Sequence, residues 1–196
     1  MRAMVSGVTD MLTAKTAEEC GADFISFSFD REDKNYVTPE KAAVIAQQVP
    51  DARIVGVFRD ETLHLVNKVA RKVKLDYVQL NGHEGENYIR QVECPVIKRY
   101  SYDGDFSAEQ AKESAAEIVL LDLGKNDYRG YEIRKNVADM HKSVIVAADI
   151  CKENVKKVNK ALHPYAVEVS EGLEVNGEKD MKKIRAFFHR IGSVMA

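Results

Sequence analysis

An acidic residue ends one of the most apolar segments of the chain. Asp122 follows the run Ile118-Val-Leu-Leu, and such a run is typical of a buried strand. A carboxyl group in this position is expected to be partly removed from water, which favours its protonated form and makes it a candidate general acid. The alternative is that Asp122 caps a helix or forms a salt bridge in the following loop.

Polar residues and glycines also follow the other apolar segments of the chain. Ser6 follows the first of them, and the later ones lead into Arg31, Asn81, His83, Arg99, Lys125, Asp149, Ser170, Glu171 and Gly172. Hydroxyl, carboxyl and cationic groups are what acid–base catalysis and the binding of a charged substrate require. Taken singly, a charged loop residue is more often simply solvated, so these residues matter only if the fold brings them together.

The segments that precede these residues, or end with them in the case of Ser6 and Arg99, are predicted strands. They are short, apolar and rich in β-branched residues, and they cover residues 3–6, 23–29, 53–58, 76–80, 95–99, 117–122, 143–148 and 165–169. Near-continuous apolar runs indicate strands that are covered on both faces, as in a parallel sheet. Between them lie segments with helical spacing, such as Leu63, Val66, Val69, Ala70 and Val73.

Helix start and stop signals agree with this alternation. Thr38-Pro39-Glu40 combines an N-cap residue, a proline at the first helical position and an acid in the first turn. Asp10 begins and Gly21 ends the first helix in a similar way. About eight strand–helix units predict an α/β fold, a compact (β/α)8 TIM barrel that forms a single domain over residues 1–196. An open doubly wound sheet is the rival, although the first strand lacks the glycine-rich dinucleotide fingerprint that would favour it.

The composition excludes several classes of partner. The 196 residues include 29 Lys and Arg against 31 Asp and Glu, for a net charge of -2, so we expect no nucleic acid and no membrane as partner. Cys20, Cys94 and Cys151 are widely spaced, which argues against a disulfide framework and a zinc site. With no apolar leader segment at the N-terminus, a cytoplasmic location is expected.

The order of segments resembles the phosphoribosylanthranilate isomerase family of tryptophan biosynthesis, from the first strand to the last helix. The landmarks are Val5-Ser-Gly-Val-Thr-Asp10, Gly21-Ala-Asp23, Tyr36-Val-Thr-Pro39, Val55-Gly-Val-Phe58, Asp76-Tyr-Val-Gln-Leu-Asn-Gly82, Pro95-Val-Ile-Lys98, Leu120-Leu-Asp122, Glu153-Asn-Val155, Val167-Glu-Val-Ser-Glu-Gly-Leu-Glu174 and Lys179-Asp180. The resemblance implies a cofactor-free Amadori rearrangement of a phosphorylated sugar-amine by a monomer or homodimer. It places Asp122 as the general acid that protonates the departing ring oxygen.

Several positions depart from the family pattern. Ser6 stands where the family has its catalytic cysteine, and a serine would need a neighbouring carboxylate or histidine to act as a base. Asn35 stands where an arginine holds the anthranilate carboxylate, which leaves Arg31 or Arg99 as substitutes. Asn81 replaces a histidine, with His83 two residues later.

The phosphate-binding loops differ most from the family pattern. Where the family has a glycine-rich loop after the sixth strand, this chain reads Gly124-Lys-Asn-Asp-Tyr-Arg-Gly130, and the family's glycine pair after the seventh strand is replaced by Ala148-Asp149. Ser170-Glu171-Gly172 follows the eighth strand. Asp149 and Glu171 would repel a phosphate unless they point outward, and Lys125 and Arg129 would offset them if their loop folds over the site.

Three functions therefore stay open at the level of sequence. The first is a working isomerase in which Ser6 or a nearby acid replaces the thiol. The second is a divergent enzyme for a cationic or metal-bound substrate, with Asp122, Asp149, Glu171 and Glu174 as oxygen ligands that suit Mg²⁺ or Mn²⁺. The third is a barrel that binds or assembles without catalysis, because one fold supports many functions.

Overall fold

The computed structural model describes residues 1–103, 106–125 and 127–192 and shows a closed parallel barrel. Its strands are β1 (Arg2–Val5), β2 (Phe24–Ser28), β3 (Arg53–Phe58), β4 (Tyr77–Leu80), β5 (Val96–Ser101), β6 (Ile118–Asp122), β7 (Ser143–Ala147) and β8 (Ala166–Val169). Strand β8 pairs with β1, with Val169 beside Val5, which closes the barrel. The predicted strands and the barrel are confirmed, and the rival open sheet is wrong.

Eight helices accompany the strands in the described part of the chain. They are α1 (Met11–Glu19), α2 (Pro39–Ala46), α3 (Leu63–Val73), α4 (Glu86–Ile89), α5 (Ala108–Glu113), α6 (Tyr131–Ala138), α7 (Val155–Leu162) and α8 (Met181–Ile191). The predicted caps are present, since Asp10 accepts a hydrogen bond from the Thr13 N–H and Thr38 accepts one from the Lys41 N–H. Gly21 follows α1 with a φ of 91°, which suits a residue without a side chain.

The segment between β8 and α8 contains structure that the sequence did not predict. It forms a 3-10 turn (Glu171–Leu173) and a small antiparallel hairpin of β9 (Glu174–Val175) and β10 (Glu178–Lys179). Lys179 lies inside this unit and donates to Glu174 Oε1 at 2.6 Å and to Ser170 Oγ at 3.1 Å. These bonds hold the chain beside the end of β8.

Two hydrophobic clusters build the body of the molecule. One lies between the strands and the helices, and the other fills the barrel interior with Met4, Phe24, Val55, Ile97, Ile118, Leu120, Ile145 and Ala166. Because side chains alternate along a strand, the residues two positions further on also point inward. Ser6, Ser26 and Arg99 are such residues, so the inward-facing rows change from apolar to polar near the carboxyl ends of the strands.

A buried ion pair lies outside the barrel wall, below the loops that follow β3 and β4. Lys98 Nζ lies 2.8 Å from Glu84 Oε2, with side-chain exposures of 7% and 2%. Lys98 also donates to the Gly82 carbonyl at 2.5 Å. Glu84 in turn accepts from the Asp60 N–H at 2.8 Å and from the Gly82 N–H at 3.0 Å. Both loops are therefore fixed to one buried charge pair.

Across the described ranges, every helix is too short or too polar to cross a membrane.

Candidate active site

The polar ends of the strands surround a cavity of about 720 Å³ at the mouth of the barrel. Eight of the residues singled out from the sequence line it, namely Ser6, Asn81, Arg99, Asp122, Asp149, Ser170, Glu171 and Gly172. Arg99 and Asp122 lie in the carboxyl-terminal halves of β5 and β6, and the other six residues follow β1, β4, β7 and β8. The parallel barrel brings them together because all its strands end on the same face.

Three further residues predicted to bind substrate lie outside the lining of this cavity. Arg31 and Lys125 are exposed, and His83 has a side-chain exposure of 97%. His83 Nδ1 lies 3.0 Å from Asp60 Oδ2, and the His83 N–H also donates to Asp60. These bonds from His83, the backbone bond above all, lower the pKa of the Asp60 carboxyl. A role in binding for these three residues stays a prediction.

Ser6 is hydrogen-bonded to a carboxyl group on the neighbouring strand. Its hydroxyl donates to Glu168 Oε1, and Glu168 lies in β8 beside Met4 of β1. Burial raises the pKa of the Glu168 carboxyl, although the bond from Ser6 and the charge of Arg99 act in the opposite direction. The serine thus has the neighbouring carboxylate that it needs to take part in acid–base chemistry.

Glu168 is the most important site residue that the sequence analysis missed. It is the acid between Val167 and Val169, in a strand whose other residues are apolar. Strict alternation along the strand was the signal that could have found it, since a charged residue at an inward position of a barrel strand is unusual. The resemblance to the family included this segment, but only as a landmark.

Asp122 is paired with Arg99 across the junction of β5 and β6. Arg99 Nη2 donates to Asp122 Oδ2, and the Gly124 N–H donates to Asp122 Oδ1 at 2.9 Å. The two side chains are 27% and 20% exposed, so the pair is open to the cavity. Asp122 thus forms a salt bridge with a residue of the neighbouring strand and not, as considered above, with one in the following loop. The pair lies within the site, where a bound ligand can reach both partners.

The cavity lining contains more acidic than basic side chains. Two cationic side chains, Lys34 and Arg99, face five carboxyl groups, those of Asp33, Asp122, Asp149, Glu168 and Glu171. Asp149 and Glu171 are exposed, and both residues line the cavity. Lys34, which the sequence analysis also missed, lies 2.8 Å from Glu174 Oε2. Its hydrogen bond to Glu174 raises the pKa of the Lys34 ammonium, which therefore stays charged.

The basic residues of the loop after β6, Lys125 and Arg129, lie outside the lining of this cavity. Arg129 bonds Asp127 through Nε at 2.9 Å and lines a separate hollow with Arg134 and Lys157. Position 126 of this loop lies outside the described residues. The expected compensation of Asp149 and Glu171 by Arg129 is therefore not seen in the described part of this loop.

A metal site was the alternative reading of the acidic residues. Within residues 1–103, 106–125 and 127–192, no three His, Cys, Asp or Glu side chains are arranged to hold a metal ion. Glu174, one of the four acids in that reading, is only 7% exposed in its side chain and is bonded to Lys34 and Lys179. Those two ammonium groups lower the pKa of the Glu174 carboxyl against the opposing effect of burial.

The loops after β7 and β8 touch at Gly172. A side-chain carbon at this position would lie 1.9 Å from the Ile150 carbonyl oxygen and 3.2 Å from Cys151 Cα. Such contacts involve backbone on both sides, so a larger residue would push the two loops apart.

We expect Gly172→Ser to destabilise the protein by about 1–3 kcal/mol, because the added atoms overlap a backbone carbonyl. Gly85→Ser is the matched control, since no atom lies within 4 Å of the added carbon and Gly85 is the N-cap of α4. Its effect is expected to stay within about 0.5 kcal/mol. Urea unfolding of the two variants measures the difference, and equal midpoints would show that the two loops are not in contact.

Comparison with known proteins agrees with this geometry. A family model described as N-(5'-phosphoribosyl)anthranilate (PRA) isomerase matches residues 3–190. An N-(5'-phosphoribosyl)anthranilate isomerase of Bacillus cereus is 32% identical over 192 residues, which cover 93% of this chain and 95% of the relative.

Solved structures show the same likeness over the whole barrel. Phosphoribosyl anthranilate isomerase from Thermus thermophilus is similar with a TM-score of 0.88 and 31% identity, covering 98% of this chain and 99% of that one. A phosphoribosyl anthranilate isomerase in complex with reduced 1-(o-carboxyphenylamino)-1-deoxyribulose 5-phosphate has a TM-score of 0.88 and 29% identity, with coverages of 99% and 100%. The chain therefore belongs to the N-(5'-phosphoribosyl)anthranilate isomerase family.

Proposed function

We propose that the protein isomerises N-(5'-phosphoribosyl)anthranilate to the carboxyphenylamino-deoxyribulose phosphate, by an Amadori rearrangement in tryptophan biosynthesis. The observation that carries this proposal is the meeting of Asp122 and the Ser6–Glu168 pair at one cavity. The reaction needs an acid at the ring oxygen and a base at C2, and the barrel supplies a candidate for each. Membership of the family supports the substrate class, since a relative binds a reduced phosphorylated analogue.

The proposed base is Glu168 acting through Ser6. The Ser6 oxygen accepts the C2 proton while its hydroxyl proton passes to Glu168 Oε1, along the hydrogen bond already present. A carboxylate whose pKa is raised by burial is a stronger base than an ordinary one, which suits removal of a proton from carbon. When the resulting enol becomes the ketone, this proton passes to C1, which restores Ser6 and Glu168, and the enol hydroxyl proton passes to Asp122, which restores the acid.

The proposed acid is Asp122, which is paired with Arg99 in the unliganded protein. The anthranilate carboxylate competes with Asp122 for the Arg99 guanidinium, which suits planar, bidentate binding of a carboxylate. When Arg99 turns to the substrate, the Asp122 carboxyl group leaves its ion pair and can contact the ring oxygen. Asp122 then protonates the departing ring oxygen. Arg99 thus takes the carboxylate-binding role that Asn35 cannot fill.

The phosphate is proposed to bind at the mouth, beside the loops that follow β7 and β8. Ser170 and Gly172 line this side of the cavity, and Lys34 is the ammonium group nearest to them in the lining. Asp149 and Glu171 oppose an anion here, so we expect weak binding of phosphate. Lys125, Asn81 and His83 remain predicted contacts of the substrate.

A second candidate is a divergent enzyme that acts on a cationic substrate. The five carboxyl groups in the lining favour it, because they exceed the two cationic groups. Such an enzyme would bind an amine in place of a phosphate ester. The two candidates therefore differ in the ligand that the mouth of the cavity binds, which is an anion for the isomerase and a cation for the divergent enzyme.

Growth of a tryptophan auxotroph that lacks the isomerase tests the first candidate. The chain is expected to restore growth without tryptophan, whereas Asp122→Asn, made to the same soluble level, is expected to fail. Equal growth with both would remove Asp122 from catalysis. No growth with either would favour the divergent enzyme or a barrel without catalysis.

We also propose a cytoplasmic enzyme that is a monomer or homodimer, without nucleic acid or membrane partners. The balanced charge supports this proposal. One similar structure is described as mutually generated monomers of a dimeric relative from Thermotoga maritima, which places both states within the family.

A further inference from the structure

One wall of the cavity carries polar atoms that the protein itself leaves unpaired. Among the residues that the structure describes, three buried side-chain atoms lack a hydrogen-bond partner, namely Ser26 Oγ, Ser28 Oγ and Gln79 Oε1. The residues are 1%, 2% and 1% exposed, and all three line the cavity above the apolar interior. The mechanism described above uses none of them.

Serine is an unusual choice at these positions. Phe24 precedes Ser26 by two residues on the same inward row of β2 and packs in the interior cluster, as the fold requires. At Ser26 a hydroxyl group stands on this row instead of an apolar side chain. A buried hydroxyl group without a hydrogen-bond partner destabilises the protein, because it has lost its bonds to water. Each such atom therefore calls for an explanation, and a ligand in the adjoining cavity would supply the missing bond.

The three atoms belong to one side of the barrel. Ser28 is in register with Val57 of β3, and Val57 is in register with Gln79 of β4. The charged groups lie on the other strands, with Arg99 on β5, Asp122 on β6 and Glu168 on β8. Ser26, Ser28 and Gln79 therefore form an uncharged polar wall on β2 and β4. It meets the charged groups at Gln79, whose side chain is hydrogen-bonded to Glu168.

The chemistry of the atoms limits what can bind there. The Gln79 amide nitrogen donates to Asn81 Oδ1 at 3.1 Å, and its Oε1 can only accept. A phosphate or carboxylate oxygen offers no proton to Gln79 Oε1, and an aromatic ring offers partners to none of the three atoms. A hydroxyl group can donate to Gln79 and can also accept from a serine.

We propose that the polar wall of Ser26, Ser28 and Gln79 is a subsite for the hydroxyl groups of a sugar-derived ligand. This deepens the proposed function and rests on it for the identity of the ligand. The subsite orients that ligand, since its hydroxyl-bearing carbons face β2 and β4 while its charged groups face Arg99 and the mouth. Ser26 and Ser28 are then specificity-determining residues of this chain.

Binding of two probes to the whole protein tests the subsite. The first probe is the reduced 1-(o-carboxyphenylamino)-1-deoxyribulose 5-phosphate, and the second is ribitol, which has hydroxyl groups and no charge. We expect Ser26→Ala/Ser28→Ala to weaken binding of the first probe by about tenfold or more, as two lost hydrogen bonds would. Ribitol is expected to shift the Gln79 side-chain amide signals in the NMR spectrum of the parent protein but not of the double variant. Ser101→Ala, an exposed serine outside the lining, is the matched control.

The melting temperature of the unliganded protein separates a binding role from a structural one. Removal of two unpaired hydroxyl groups is expected to raise it by about 2–4 °C, whereas removal of groups needed for packing would lower it. If ribitol binds the parent protein but not the double variant, and the reduced phosphorylated probe binds neither, the subsite proposal is supported and the isomerase proposal fails. The subsite proposal is overturned if neither probe binds, if both bind the double variant as tightly as the parent, or if the variant melts lower.

Discussion

Glu168→Gln is expected to lower kcat/KM of the isomerisation by about 100-fold or more, since general base catalysis contributes about 10²–10⁴-fold. Glutamine keeps the shape of the side chain and its bond to Ser6, but it cannot accept the proton that Ser6 passes on. A coupled assay that follows loss of the substrate's fluorescence measures the effect. Activity within about threefold of the parent would show that Glu168 is not the base.

Ser6→Cys provides the matched control for this residue. A thiol ionises near neutral pH and removes a proton without help from a neighbouring carboxylate. The double variant Ser6→Cys/Glu168→Gln is therefore expected to regain activity relative to Glu168→Gln alone, whereas Ser6→Ala/Glu168→Gln is not. Equal activities of the two double variants would place the proton transfer away from Ser6.

The stability of the same variant has a predictable dependence on pH. The pKa of Glu168 is raised in the folded protein, mainly by burial, so at pH values between the unfolded and the folded pKa the folded state holds a proton that the unfolded state has released. The free energy of unfolding of the parent therefore falls as pH rises from the unfolded pKa through the folded one. Glu168→Gln removes this loss. The variant should gain melting temperature over the parent at pH 8 but much less at pH 4, which calorimetry at the two values measures.

The second large effect is expected at the buried pair below the loops. Lys98→Met leaves Glu84 buried without its cation and should lower the free energy of unfolding by about 3–5 kcal/mol. The reason is that Glu84 has been removed from water and keeps only two amide donors, those of Asp60 and Gly82. Urea unfolding followed by circular dichroism measures the loss.

Two controls separate this effect from a general loss of charge. Lys98→Met/Glu84→Gln is expected to recover about half of the loss or more, because the glutamine oxygen still accepts from both amides and is uncharged. Arg71→Met breaks an exposed pair with Glu93 and should cost less than about 1 kcal/mol. Similar losses for Lys98→Met and Arg71→Met would contradict the burial of the first pair.

Much of the fold was predictable because its signals are local. Runs such as Ile118–Asp122 become strands since they are apolar and β-branched, and the spacing of Leu63–Val73 matches one face of a helix. Thr38 and Asp10 are caps because their oxygens satisfy backbone N–H groups three residues away. None of these features depends on a distant part of the chain.

The candidate site was predictable only in part. The position of Asp122 at the end of a strand is a local property, and the barrel brings it to the cavity as expected. Its bond to Arg99 was not predicted, because it depends on the register that sets Ser101 beside Asp122. His83 and Asn81 are two residues apart, yet only Asn81 lines the cavity, and nothing in the sequence separates the two.

The sequence by itself determined the eight strand–helix units, the helix caps and the polar ends of the strands, because hydrophobic spacing and capping act over a few residues. Only the tertiary structure decided which polar groups meet. Ser6 and Glu168 are 162 residues apart and become partners because β8 closes on β1. The register between strands, which the whole barrel sets, likewise decided that Ser28 and Gln79 share one wall.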